Sequence, residues 1–231
     1  KYPDCILFYR MGDFYEMFFE DAATAAPILE ITLTSRNKSK EDAVPLCGFP
    51  YHAAAGYITK LVEKGFKVAI CEQVEDPKSA KGIVKREVVR VITPGLITDE
   101  ENLKASENNY LAAVHAGRDR LGLAFLDIST GEFQVGEFSS RDELAAAVCG
   151  LEIKELLIQK TFPDPMLIKI LEANLPAGRV NPLDDALYEA ARAEEILRRE
   201  LDASVLDAAK LENHPAAQKA ASVVLDYVRS T

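Results

Sequence analysis

The sequence predicts an α/β protein built as two successive domains, and three observations lead there. Apolar runs of strand length alternate with stretches that repeat at helical spacing. A polar stretch with little to bury, residues 99–109, divides the chain. The three β-rich runs after it give way to alternating helices and strands. With 231 residues, 48% of them apolar, the chain can bury a sizeable core, and the usual domain size favours two domains. The expected division is 1–94 for the first domain, 95–108 for a linker entered at Thr93-Pro94-Gly95, and 109–231 for the second.

In the first domain, Cys5-Ile6-Leu7-Phe8-Tyr9 reads as a buried strand, and Gly12-Asp13 turns the chain into what reads as a helix to about Leu29. Asp13 is expected at the N-cap and Glu16 three residues on, a capping-box spacing in which each side chain accepts a backbone N–H that the helix leaves unpaired. Tyr15, Phe18, Phe19, Ala22, Ala26 and Leu29 then supply a core face, which leaves Phe14 with no obvious place inside. A β-rich run at 31–34 and a charged loop at 36–42 follow. Val44-Pro45-Leu46-Cys47 leads into a Gly-Phe-Pro-Tyr turn, and Tyr57, Ile58, Leu61 and Val62 mark a helix over about 53–63, stopped by Gly65. Strands are expected at 66–71 and 87–92, with a basic loop containing Pro77 and Gly82 between them.

In the second domain, runs at 110–115, 121–128 and 132–138 are separated by Gly-containing turns and read as an antiparallel meander. Next come a helix from about Ser140, a strand at 156–158, a helix over about 166–173, a short strand at Arg179-Val180, and helices from about Tyr188 and Pro215, a residue suited to a first helical position. A meander followed by alternating helices and strands is the order of the ribonuclease H-like fold, so a nuclease has to be weighed. Two-metal hydrolysis needs several carboxylates converging on one end of the sheet, typically beginning with an Asp on the first strand. The run 110–115 contains none. Asp127 and Glu132 flank a turn and read as turn chemistry, and fold does not carry function.

The net charge of −10 argues against nucleic acid if taken whole. By segment it does not: residues 1–93 carry 13 Lys+Arg and 13 Asp+Glu, whereas 94–231 carry 14 and 24. All the excess acidity is in the second half. Bases of the first half cluster at Arg36, Lys38 and Lys40 and again at Lys78, Lys81, Lys85, Arg86 and Arg90, either as solvated loops or as phosphate contacts. Cys5, Cys47, Cys71 and Cys149 are scattered with no C-x-x-C pair and read as reduced core residues of a cytoplasmic protein. His52, His115 and His214 are too scattered for a metal site. No apolar run approaches membrane-span length, and no signal peptide opens the chain. There is no G-x-x-x-x-G-K-[ST] phosphate loop, no G-x-S-x-G, and no His beside a plausible nucleophile.

The run Phe8-Tyr9-Arg10-Met11-Gly12-Asp13-Phe14-Tyr15-Glu16 closely resembles the start of the mismatch-recognition domain of the MutS family of bacterial DNA mismatch repair proteins. The resemblance continues through Gly48-Phe49-Pro50-Tyr51-His52, Ala69-Ile70-Cys71-Glu72-Gln73, Val88-Val89-Arg90, Thr93-Pro94-Gly95 and Leu126-Asp127-Ile128-Ser129-Thr130-Gly131. It keeps the family's order over roughly the first 130 residues and becomes compositional beyond Phe138.

That resemblance implies a mixed-sheet mismatch-recognition domain followed by a ribonuclease H-like connector domain. The family's Phe-x-Glu motif, which enters the minor groove at the mispair, can only be Phe14-Tyr15-Glu16. Phe14 is then a wedge that kinks the duplex where stacking is already poor. Glu16 hydrogen-bonds the displaced base, and must be protonated to donate to a ring nitrogen. Met11, Tyr15, Arg36, Arg86 and Arg90 are the supporting candidates, the arginines to phosphate.

Implied partners are mismatched duplex DNA, MutL through the acidic connector domain, and a second copy in a homodimer of the intact protein. No membrane partner is implied, and the setting is the bacterial cytoplasm, at the nucleoid during repair. ATP and Mg²⁺ belong to a C-terminal domain of the family that these residues do not include, so the chain is expected to hold no cofactor and to be no enzyme. Beginning inside the family pattern, it reads as a fragment. Two other classes stay open: a generic nucleic-acid or protein-interaction module in which Phe14 is ordinary core, and the ribonuclease H-like nuclease.

Overall fold

The computed structural model describes residues 2–36, 43–75, 82, 84–96, 108–176 and 178–231. The chain forms two compact units, one on Lys1–Thr93 and the other on Leu103–Thr231 with Pro94–Asp99. Most of the stretch expected as a linker, residues 97–107, lies outside the described residues.

The first unit runs β1 (Cys5–Met11), β2 (Phe14–Phe18), α1 (Phe19–Leu29), β3 (Thr34–Arg36), β4 (Val44–Pro50), α2 (Ala54–Glu63), β5 (Lys67–Gln73) and β6 (Arg86–Ile92). Its sheet has the order β3-β4-β2-β1-β5-β6. Only the β1–β5 pair is parallel. The expected helix from Asp13 is therefore corrected: Gly12-Asp13 is the turn of a β-hairpin, and Glu16 lies in a strand. Gly12 has φ +59° and Asp13 does not have positive φ, the arrangement of a type II′ turn, whose twist matches that of the flanking strands. Two-fold alternation then replaces helical spacing, so Tyr15 and Met17 are buried while Phe14 is 46% exposed.

The helix begins only at Phe19, which is 63% exposed and not core. Beyond the end of the β1–β2 pairing at Tyr9, the Leu7 N–H is taken by the carboxylate of Asp21 in the first turn of α1 at 2.9 Å. Ala22, Ala26 and Leu29 are buried as the spacing indicated. Three smaller expectations also change. The strand placed at 31–34 starts at Thr34, β4 runs on through the supposed turn to Pro50, and Cys149 is exposed while Cys47 and Cys71 are buried.

Helices α1 and α2 cover one face of this sheet. The Cys47 thiol reaches Ala22 O on α1, and the Phe49 ring lies 4.2 Å from that of Tyr57 on α2. Phe8 fills the middle, 5.0 Å from Phe49 and 5.9 Å from Tyr15.

The second unit runs β7 (Tyr110–Ala116), β8 (Leu121–Asp127), β9 (Glu132–Phe138), α3 (Arg141–Cys149), β10 (Ile153–Gln159), α4 (Pro165–Asn174), β11 (Val180–Leu183), α5 (Ala190–Glu200), α6 (Ala203–Ala209) and α7 (Pro215–Ser230). The sheet order is β11-β10-β7-β8-β9. β7, β8 and β9 form the antiparallel meander, and β10 lies parallel to both β7 and β11. This is the ribonuclease H-like arrangement expected.

Helices on both faces explain why β7 is buried on both sides and apolar from Tyr110 to Val114. Tyr110, Ala112 and Val114 pack with Leu144 and Val148 of α3 and Leu167 and Leu171 of α4, whereas Leu111 and Ala113 pack with Leu197 of α5 and Ala220 and Val224 of α7. Ser140 and Asp164 cap α3 and α4 by accepting N–H bonds from Glu143 and from Met166 and Leu167. Asp127 is buried and does serve a turn: its carboxylate accepts the Ser129 N–H, the Ser129 hydroxyl and the Asn109 N–H.

Two glycines give opposite expectations. A Cβ on Gly122 would sit 2.0 Å from Ala216 O and 2.2 Å from its carbon. Gly122→Ala must push α7 off the sheet and is expected to cost about 1–3 kcal/mol in urea unfolding. At Gly56 in α2 a methyl meets nothing within 4 Å, and Gly56→Ala should stabilise by about 0.5 kcal/mol.

His115 supplies a pH test. Its burial, aided by the Lys219 charge and opposed by the bond to Gln159, holds its pKa down to about 4. The unfolded chain, near 6.5, takes up that proton first, so stability is full above about pH 6.5 and is lost as pH falls toward 4, by about 3 kcal/mol. His115→Gln should remove that part of the acid slope; an unchanged slope would mean the imidazole is not the source.

Candidate nucleic-acid interface

No helix of the first unit packs on the second face of its sheet among the described residues. The register decides what appears there. Tyr9 pairs with Glu16 and Met11 with Phe14 across the β1–β2 hairpin, and cross-strand partners share a face. Phe14, Glu16, Met11, Tyr9 and Phe18 therefore lie together, with the Tyr9 and Phe18 rings 6.4 Å apart, edge to face. Phe14 sits at the hairpin tip between Met11 and Pro50.

Glu16 is half-buried, and its Oε2 is buried with no hydrogen-bond partner among the described residues. A carboxylate oxygen withdrawn from water and left unpaired costs stability. Gly48 of β4, directly across from Glu16, makes room for it. A Cβ there would meet Tyr15 O at 2.7 Å and Glu16 Cγ at 3.4 Å. Sequence reasoning missed Gly48; a glycine inside a β-rich run, where no turn is needed, was the available signal.

Tyr15 is separated from this group. Its ring is buried on the helix-covered face, and its hydroxyl donates to Glu72. Burial first, and then the Glu72 bond, push its pKa up to about 12. The Glu72 carboxylate also pairs with Arg10, Nη1 to Oε1 at 3.6 Å. Arg10, likewise missed as a site residue, lies over the Tyr51 ring at 3.6 Å, and its Nε donates to Gly12 O at 2.5 Å.

The basic candidates divide. Arg86 lies on the Phe14 face, its guanidinium 5.2 Å from the Tyr9 ring, with Nε donating to Arg10 O at 2.8 Å and Nη1 to Val84 O at 2.9 Å. It thus closes the edge of β1 beyond the end of its pairing with β5. Arg90 pairs with Ile70, and a bulge between Ile70 and Cys71 separates it from the Arg86 register. The bulge puts Arg90 on the helix-covered face, a reversal that an even spacing of four residues did not suggest. Arg36 ends β3. Its side chain and the candidates Lys38, Lys40, Lys78 and Lys81 lie outside the described residues.

Comparison with known proteins bears on this face and on the second unit alike. The family models described as MutS domain I and MutS domain II match residues 1–101 and 109–231. DNA mismatch repair protein MutS of Syntrophobacter fumaroxidans is 46% identical over 232 residues, covering 100% of this chain and 26% of the relative. The proteins of the same name from Desulfatibacillum aliphaticivorans and Desulforapulum autotrophicum are each 45% identical, covering 99% and 100% of this chain and again 26% of the relative. The chain spans about a quarter of the length of the curated relatives it matches. With both family models matched in order and nearly end to end, the chain belongs to the MutS family and carries its domains I and II.

Proposed function

We propose that this chain is the mismatch-reading and connector part of a longer mismatch repair protein, and that Phe14 and Glu16 read the duplex at a mispair from the minor groove. The observation that carries the proposal is the pairing of a half-exposed aromatic at a hairpin tip with a carboxylate on the same face whose Oε2 has no partner among the described residues. A mispair stacks poorly, so a ring inserted there kinks the duplex at less cost than at an intact step, and the reading is largely of deformability. The unpaired Glu16 oxygen is where a displaced base would find its hydrogen bond. Met11 flanks the wedge. Arg86 takes phosphate with its remaining Nη2 while holding the β1 edge, and Arg36 remains a proposed phosphate contact, whereas Arg90, in register with Ile70 on the helix-covered face, is set apart from the duplex that Phe14 enters. Tyr15, buried and bonded to Glu72, supports the wedge from behind.

Binding of MutL through the connector domain, homodimer formation and a cytoplasmic, nucleoid-associated setting belong to the same proposal, for the intact protein. Among the described residues no helix is long and apolar enough to cross a membrane. The 231 residues contain no phosphate loop to hold ATP and Mg²⁺, so hydrolysis in the intact protein is assigned to residues outside this chain.

Phe14→Ala should leave the thermal midpoint of the chain nearly unchanged and abolish the intact protein's preference for a mispaired over a fully paired duplex. Loss of a core Phe costs about 3–5 kcal/mol, so a large drop in midpoint would return Phe14 to the core and sink the wedge.

Glu16→Gln separates reading from repulsion. The carboxylate is set against the phosphates of every duplex and recovers that cost only at a displaced base, so the variant should bind paired DNA more tightly and discriminate less. Its stability should stay within about 0.5 kcal/mol of wild type. All affinities are compared at one salt concentration, because phosphate-driven binding falls steeply with salt. Unchanged paired-duplex affinity together with unchanged discrimination would remove Glu16 from the reading face.

A further inference from the structure

Both turn residues of the wedge-bearing hairpin have their carbonyls hydrogen-bonded, one by a side chain and one by the main chain. Gly12 O accepts Nε of Arg10 at 2.5 Å, and Asp13 O accepts the N–H of Tyr51 at 2.9 Å. The two holders are themselves joined, since the Arg10 guanidinium carbon lies 3.6 Å from the centre of the Tyr51 ring. Glu72 completes the group by pairing with Arg10 and accepting the Tyr15 hydroxyl. Arg10 pairs in register with Tyr15, so this assembly sits on the helix-covered face, opposite Phe14. Only 18% of the Arg10 side chain is exposed. Its planar fork is spent on a carbonyl, a ring and a carboxylate, which leaves it unsuited to phosphate.

We infer that Arg10 and Tyr51 are positioning residues that clamp the Gly12-Asp13 turn and fix the height of Phe14 before DNA arrives. The clamp rests on the wedge reading above. A wedge must transmit force to the base stack, and a hairpin tip free to fray would have to be ordered on binding, at a cost charged only to the inserted, mismatch-bound state. Lysine at position 10 keeps the charge that pairs with Glu72 but supplies neither the Nε donor nor a flat surface for Tyr51.

The test uses the intact protein with mispaired and fully paired duplexes at one salt concentration, and the variants Arg10→Lys, Tyr51→Leu, their double, and Phe14→Ala. Arg10→Lys should keep the thermal midpoint and the paired-duplex affinity. It should lose mismatch affinity by roughly threefold to tenfold, through faster dissociation, with a smaller bend by end-to-end energy transfer in the mispaired duplex. Tyr51→Leu keeps the main-chain N–H on Asp13 O but removes the ring against Arg10. It should act in the same direction, and the double variant should be no worse than the stronger single one, because both changes undo the same Arg10 placement. Tyr51, 43% exposed, carries the same test should Arg10→Lys lower the midpoint.

If Phe14→Ala abolishes discrimination while Arg10→Lys and Tyr51→Leu keep it, with the wild-type bend, the clamp is wrong and the wedge stands. If Phe14→Ala itself leaves discrimination intact, the wedge reading falls and the clamp's role in DNA reading falls with it.

Discussion

Everything on the reading face depends on β2 being hydrogen-bonded on both sides. A central strand between β1 and β4 has no freedom of register, because a slip by one residue would exchange Tyr15 and Met17 for Phe14 and Glu16 and put a carboxylate into the core. The burial of Tyr15 and Met17 therefore determines the outward direction of Phe14 and Glu16. Gly12 supplies the positive φ that closes the hairpin in two residues, and Gly48 supplies the missing Cβ that lets β4 lie close beside Glu16. Core packing and the proposed recognition are in this way two faces of one strand.

The second unit is arranged on a different principle. Its sheet is sealed by helices on both sides, and its buried carboxylates are satisfied locally. Glu155 accepts the Gly95 N–H, the Asn181 amide and the Tyr227 hydroxyl, while Asp127 holds its own turn and the entry of β7. Each is committed to backbone and neighbouring side chains within its own region. A domain so constructed suits the partner-binding role proposed for the connector better than it suits chemistry at the sheet end.

Much of this was legible in the sequence. The meander, the alternation after it and most helices follow from apolar periodicity and turn residues, and Phe14 stood out because no core position was available to it. The main misreading, a helix from Asp13, has a physical cause. Asp13 and Glu16 have capping-box spacing, and Tyr15, Phe18, Phe19 and Ala22 fall at helical intervals by coincidence. The counter-signals were the β-prone run Phe14-Tyr15-Glu16-Met17-Phe18 and Gly-Asp between two aromatic stretches, a hairpin signature. The clamp could not be read from sequence, since Arg10 on β1, Glu72 on β5 and Tyr51, in the turn just past β4, are brought together only by the assembled sheet. Nor could the bulge in β5–β6, one residue of register that sends Arg86 and Arg90 to opposite faces.

The most direct measurement of the central claim is photocrosslinking from the reading face. With benzoylphenylalanine in place of Phe14 in the intact protein, irradiation of a bound duplex should attach the protein at the mispair and, on a paired duplex, give little adduct. The same probe at Lys60, exposed on α2 over the opposite face, should attach to neither. Adducts from position 14 spread evenly along both duplexes, or adducts at the mispair from position 60, would contradict the assignment of this face to DNA.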